Sequence, residues 1–289
     1  MVAGGGTGRA VVVTGAPTRP GRSAYAGGAE RWHSDAALVY APLAEHLIAR
    51  SPLAPGGIRA LDVGTGTGVA ADALRAAGAA VVGADLEPDM ARFAARRGPA
   101  LVADVARLPF ADAGFDLVVA AFVVNHLADP AAGLGELRRV TRAGGAVLCS
   151  VFSVDRSAAK AAVDRVALRY GYHPPDWYRQ VKVYADRVGT SAALAAAART
   201  AGFAEVEVSC QPVDVGLADP ALVVRARLGM PQLRTWFDSL DARRRASLVG
   251  EATEAVRETG ERFAPEVIEA VLRPRSPVRI SRAGDGPLV

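Results

Sequence analysis

A strand of apolar residues that runs into three alternating glycines and then into a helix is the feature that most narrows the fold. It reads Leu61-Asp62-Val63-Gly64-Thr65-Gly66-Thr67-Gly68-Val69-Ala70. Glycine is needed where backbone turns sharply and lies against a ligand with no Cβ between them. A helix starting directly after such a turn offers unpaired amides and a partial positive charge to the same place. The chain repeats this strand-to-helix step. Segments 58–63, 80–85, 100–104, 115–122 and 146–152 read as strands, and 70–77, 88–97 and 130–141 between them read as helices. Alternation at this spacing predicts an α/β fold, a parallel sheet covered on both faces.

The glycine spacing bears on the ligand. A dinucleotide loop follows G-x-G-x-x-G, which brings amides onto a pyrophosphate. Here the third glycine comes one residue early and Val69 stands in the expected place. Two further acids end strands. Asp85 closes the second, before Leu86-Glu87-Pro88, where a carboxylate can accept charge-assisted bonds from two ribose hydroxyls. Asp104 closes the third, before Val105, where an acid can accept from an adenine amine while the next amide meets a ring nitrogen. The fourth strand leads into Val123-Val124-Asn125-His126-Leu127.

Four segments in this order resemble the class I S-adenosylmethionine-dependent methyltransferases, in particular the branch of ubiquinone/menaquinone-type and natural-product enzymes. They are 61–68, 82–89, 104–110 with 115–129, and 137–147 with its Arg142-Ala143-Gly144-Gly145 turn. The resemblance covers 34–152 well and 190–213 loosely. It implies a Rossmann-like, doubly wound seven-stranded sheet with its last strand antiparallel, a place that 278–281 would fill. It also implies S-adenosylmethionine as cofactor. Asp62, Gly64, Gly66 and Gly68 would then surround the methionine part, with Thr65 in the same loop. Asp85, with Leu86 after it, would bind ribose, and Asp104 and Val105 would bracket adenine. Ala121 would lie near the sulfonium. Ala143 departs from the family's usual proline in that turn, and a helical insertion over 219–272 departs from its short connection.

Domain organisation follows from the same pass. Residues 1–28 form a small-residue leader, 29–152 the first part of the cofactor-binding core with a preceding helix, and 153–188 a helical cap. The core resumes over 189–216, a second helical insertion spans 217–273, and 274–289 hold a final edge strand and tail. The preceding helix is expected from Ser34 or Asp35 as cap, with Pro42 kinking or splitting it. Within the leader, Val11-Val12-Val13-Thr14-Gly15 resembles the opening of a short-chain dehydrogenase, but Arg19 occupies the next glycine position and no apolar helical repeat follows.

Composition excludes several function classes. The chain has 289 residues and a formal charge of +4, with Lys160 and Lys182 its only lysines and its arginines dispersed among acids. No clustered basic stripe suits nucleic acid, no apolar run suits a membrane span, and no signal-peptide pattern opens the chain. A cytoplasmic location is expected. Cys149 and Cys210 are expected as buried thiols in strands, and no ligand spacing suggests a metal.

The expected activity is methyl transfer to oxygen or carbon of a small organic acceptor, favoured as a specialised metabolite. The readings kept beside it are a quinone-precursor C-methyltransferase and a cofactor-binding enzyme that catalyses rearrangement, cyclisation or decarboxylation. His126 is the candidate base or acceptor-orienting group. Tyr40, Tyr172, His173, Trp177 and Tyr178 are candidates to line the acceptor pocket, and the helix around Tyr40 is expected to fold over the cofactor, with Trp32 or Tyr40 in contact with it. Among partners a small-molecule acceptor is expected, with a homodimer as a compatible assembly.

Overall fold

The computed structural model describes residues 25–54, 56–154 and 157–275. The leader fragment at 11–15, the expected edge strand at 278–281 and most of the leader and tail lie outside the described residues. In chain order the elements begin with α1 (Ala29–Arg31), a π-helical turn (Trp32–Ala36) and α2 (Ala37–Ala49). Next come β1 (Arg59–Val63), α3 (Val69–Ala76), β2 (Ala80–Asp85), α4 (Pro88–Ala94), β3 (Ala100–Val102) and β4 (Phe115–Ala121). A 3-10 turn (Val124–His126), α5 (Pro130–Val140), β5 (Thr141–Phe152), α6 (Ala158–Arg169), α7 (Asp176–Ala185) and α8 (Ser191–Thr200) follow. The chain continues with β6 (Glu205–Pro212), α9 (Pro220–Leu228), α10 (Pro231–Ser239), α11 (Ala242–Arg257) and β7 (Glu266–Arg273).

The seven strands form one sheet in the order β3-β2-β1-β4-β5-β7-β6. The first five run parallel, and β7 lies antiparallel to both β5 and β6. Parallel strands joined by helical crossovers are covered on both faces, which is why Leu61, Leu117, Val118, Val119 and Leu148 are wholly buried. Leu134, Leu137, Leu194 and Ala198 of α5 and α8 pack on one face. Ala44, Leu47, Ala71 and Leu74 of α2 and α3 pack on the other. Each such leucine contributes roughly 1.5–3 kcal/mol by leaving water.

Three expectations are corrected. The seventh strand is Glu266–Arg273, inside the segment read as helical. Its apolar residues Val267, Ile268, Val271 and Leu272 have helical spacing, but neighbours on both sides make them a strand buried on both faces. The preceding helix starts at Ala29, not at Ser34, and Pro42 stands within α2 without splitting it. Asp35 is buried and accepts from Arg225 Nε at 2.8 Å instead of capping. Cys149 is buried as expected, its thiol pushed up to about 12 by burial. Cys210 is exposed, because β6 is the sheet's edge and only partly covered.

Helices from the two segments expected as a cap pack together. Val163 and Val166 of α6, Val223 and Val224 of α9, and Leu248, Ala252 and Val256 of α11 share one apolar cluster with Leu43 of α2. Inside the cap Arg227 donates from Nε and Nη2 to both oxygens of Asp164, each at 2.8 Å.

Candidate functional site

The connections from β1 and β4 leave in opposite directions, since β1 continues to β2 on one side and β4 to β5 on the other. At such a switch point a crevice opens beyond the carboxyl ends of the strands. A cavity of about 230 Å³ lies there. Its walls include Asp62, Gly64, Thr65, Gly66, Asp85, Leu86, Asp104, Val105, Ala121 and His126, so the sequence candidates from four separate segments meet in one place.

The floor is built by the glycine loop. Gly64 has φ +65°, and a Cβ there would stand 2.3 Å from Cγ2 of Val123, so both the turn and the approach of the β4 loop demand glycine. Gly68 has φ +91° and caps α3, so it shapes the loop from behind the wall. Asp62 is 1% exposed. Its Oδ2 accepts from the Thr65 hydroxyl at 2.6 Å and the Ala71 amide at 3.0 Å. Burial nevertheless dominates, and pushes the Asp62 carboxyl up to about 7. Asp85 Oδ2 accepts from the Gly66 amide at 2.7 Å and Oδ1 from the Glu87 amide at 2.8 Å. Burial again outweighs these bonds, and lifts it to about 6. Asp104 lies just past β3 and accepts from the Ala106 amide at 2.8 Å, which fixes the turn carrying Val105.

The roof comes from elements distant in sequence. The π-helical turn sets Trp32 over the loop, 3.9 Å from where a Gly66 Cβ would be. His33 Nδ1 lies 3.2 Å from Thr67 Oγ1 beside it. Tyr40 packs 5.2 Å from Trp32 and edge-on to Phe122 at 5.1 Å, while Phe122 stacks on Phe152 at 4.4 Å. Trp177 and Val181 of α7 and Tyr25 close the space. Tyr25 falls in the segment read as leader, and its amide neighbour Gly27 bonds Asp89.

Some candidates stand elsewhere. His173 is exposed in the loop before α7 and does not reach the wall. Tyr178 lies one layer behind it, hydrogen-bonded to Arg227. Tyr172 is buried against Trp236 in the cap at 5.2 Å. Conversely, Tyr25, Phe122, Asn125 and Phe152 line the cavity without having been singled out. The aromatic residues ending β4 and β5 were legible as strand termini but not as wall, because their direction depends on a local twist. Phe122 has φ +58°, unusual for a residue with a bulky side chain. His126 has no ring hydrogen bond among the described residues, and burial lowers it to about 4, so its imidazole is neutral near pH 7.

The residue set fits an adenosyl sulfonium compound. Carboxylates of Asp85 and Asp104 are acceptors suited to a diol and an exocyclic amine, and Asp62 suits an ammonium group. No arginine or lysine lines the cavity among the described residues, so no side-chain cation there meets a phosphate. No group of metal-ligating side chains exists among the described residues either.

Comparison with known proteins agrees. The methyltransferase domain family matches residues 61–149. A demethylmenaquinone methyltransferase of Mycolicibacterium paratuberculosis is 42% identical over 116 residues, 39% of this chain and 50% of that protein. One from Mycobacterium sp. is 33% identical over 163 residues, 52% of this chain and 69% of the relative. The chain belongs to the class I S-adenosylmethionine-dependent methyltransferases. It spans between half and about two thirds of the length of these curated relatives.

Solved structures share the fold of this methyltransferase. The complex between the Haloferax volcanii Trm112 methyltransferase activator and a methyltransferase matches at TM-score 0.56 and 21% identity, over 89% of this chain and 98% of that one. Haemonchus contortus phosphoethanolamine N-methyltransferase 2, bound to phosphomonomethylethanolamine and S-adenosylhomocysteine, matches at TM-score 0.53 and 18% identity, over 81% and 53%. No helix among the described residues is long and apolar enough to cross a membrane.

Proposed function

We propose that the protein transfers a methyl group from S-adenosylmethionine to oxygen or carbon of a small, uncharged organic acceptor. The observation that carries this is the Asp85 carboxylate, fixed by the Gly66 and Glu87 amides in the same cavity as the glycine loop. In this reading Asp85 and Leu86 hold the ribose, Asp104 and Val105 the adenine, and Asp62 with Gly64, Thr65 and Gly66 the methionine end. Gly68 supports the loop through the α3 cap. The cofactor would supply an electrophilic methyl on a sulfonium, and the neutral thioether left when the S–CH3 bond breaks needs no acid. The protein's own part is placement and exclusion of water, which favour in-line displacement. Ala121 leaves room near the sulfonium, while Trp32, Tyr40 and Trp177 close the space. His126, neutral, would orient an acceptor hydroxyl or receive its proton and pass it to solvent. The acceptor is read as a specialised metabolite and the site of action as the cytoplasm.

A quinone-precursor ring methylated on carbon is the second reading. It is favoured by the named activity of the curated relatives, the second of them 33% identical over 163 residues. Calorimetric titration with S-adenosylmethionine and, separately, NADH tests the cofactor assignment. Binding of the sulfonium compound, with none for NADH, is expected. Asp85→Ala should weaken it by about 100-fold or more, since two charge-assisted bonds of roughly 1.5–3 kcal/mol each are lost. Absence of binding to folded protein would overturn the reading. With an acceptor in hand, S-adenosylhomocysteine released one-for-one with product separates transfer from rearrangement, cyclisation or decarboxylation.

A further inference from the structure

One polar side chain on the cavity wall has no employment in the cofactor site. Asn125 lines the cavity beside His126, and its side chain makes no hydrogen bond among the described residues. Its Oδ1 is shut away from solvent without a partner. An asparagine kept for structure ordinarily bonds nearby backbone, as Asp129 does one turn later by accepting from the Ala132 amide at 3.0 Å. A buried amide oxygen without a partner costs stability, so its retention points to a donor that arrives with the ligand.

The local backbone is shaped to present it. Phe122 adopts φ +58° directly after β4, and the 3-10 turn Val124–His126 follows. Strain of this kind persists where surrounding packing imposes it, and here the Phe122 ring is held by stacking on Phe152 and by the Tyr40 edge. The turn therefore sets Asn125 at the junction between the cofactor loop, through Val123 against Gly64, and the aromatic wall.

The surroundings define what Asn125 would meet. The same cavity is lined by Tyr40, Phe122, Phe152, Trp177 and the neutral His126, with no arginine or lysine on the wall among the described residues. Flat apolar surface is welcome there, and a carboxylate or phosphate would be desolvated without a counter-charge. We propose that Asn125 is the specificity-determining residue for the acceptor, its amide hydrogen-bonding the hydroxyl of an uncharged, ring-bearing molecule laid against the Phe122–Phe152–Tyr40 wall. This rests on the methyltransferase reading above and adds to it the residue that recognises the acceptor and the charge state it accepts.

The test uses protein saturated with S-adenosylhomocysteine, which fills the cofactor site without turnover. Calorimetric titrations at pH 7.5 compare 2-naphthol with naphthalene, which lacks the hydroxyl, and 2-naphthoate, which carries a charge. Wild-type protein is expected to bind 2-naphthol at least about tenfold more tightly than either, about the worth of one well-made hydrogen bond. Asn125→Leu should reduce the preference over naphthalene to below about threefold while leaving S-adenosylhomocysteine affinity within about threefold. Asn125→Ala, which removes the amide without adding apolar bulk, should also weaken 2-naphthol, and serves should leucine fill the cavity. Retained preference in both variants, equal binding of the carboxylate, or no saturable binding of 2-naphthol would overturn the proposal. Failure of S-adenosylhomocysteine to bind the wild type is a separate result, and removes the cofactor reading on which the proposal rests.

Discussion

At the scale of single residues the two buried acids make the site sensitive to pH. Asp62 is raised from 3.8 to about 7, chiefly by burial. An acid raised on folding contributes stability that is fully present below its unfolded pKa and is lost as pH rises through the folded one. In ligand-free protein that window runs from about 4 to about 7. The difference, 7 − 3.8 = 3.2 units, sets a ceiling of about 4 kcal/mol at 1.36 kcal/mol per unit. Asp62→Asn should therefore gain stability relative to wild type as pH rises from 5 to 8, by up to a few kcal/mol. Thermal melts of both proteins across that range check it, and a difference that does not change with pH would contradict the assignment. A bound ammonium group favours the carboxylate, so affinity for S-adenosylhomocysteine should move the opposite way in wild type and rise over the same range. The acids themselves were legible from sequence because each ends or follows a strand, where the fold puts its ligands. Asn125 and Tyr25 were not, since Asn125 depends on the backbone turn at Phe122 and Tyr25 on a chain segment that carries no periodic pattern.

Among elements, the first four parallel strands were read to within two residues because burial on both faces writes an unbroken apolar run, whereas β5 starts at Thr141, five residues before the expected 146, where Arg142–Gly145 carry no such run. β7 was misread for the complementary reason. Its sequence Glu266–Arg273 carries helical spacing, and only pairing with β5, more than a hundred residues earlier, and β6 selects the extended form. The π-helical turn at Trp32–Ala36 was likewise invisible, as it depends on what Trp32 and Asp35 contact. The cap helices were recognised as helical, but not the ion pair that joins them. Arg227 of α9 is 8% exposed and bound at both ends of its fork by Asp164 of α6. Removing one partner leaves a buried charge, an effect of roughly 3–5 kcal/mol for fully buried pairs. Asp164 is about a third exposed, which reduces it. Asp164→Ala should cost about 2 kcal/mol, read as a lower urea midpoint at unchanged slope. Because the pair lies behind the cavity wall, S-adenosylhomocysteine affinity in the folded variant should stay within a few-fold; an equal loss of both would place the pair in the ligand site.

For the whole molecule, the cavity floor and roof have different mechanical character. The floor belongs to the sheet, whose strands share one core. The roof joins Tyr25–Ala36 to α7; the first packs through Ala29, Trp32 and Ala36 in a small cluster with Met90 and Phe93, apart from the sheet's main core. In α7 only Val181 is buried. Elements held this lightly open at low free-energy cost, and a ligand touching both opposes every opening that releases it. At a concentration 100 times its Kd that opposition is about 2.7 kcal/mol, close to 100-fold in opening equilibrium. Hydrogen exchange should therefore slow by up to about 100-fold over 25–36 and 176–185 when S-adenosylhomocysteine is added. The last turn of α11, which frays without disturbing the cavity, should exchange as before. Slowing confined to the glycine loop would mean that the roof stays open over the bound cofactor, and that enclosure is completed by the acceptor instead.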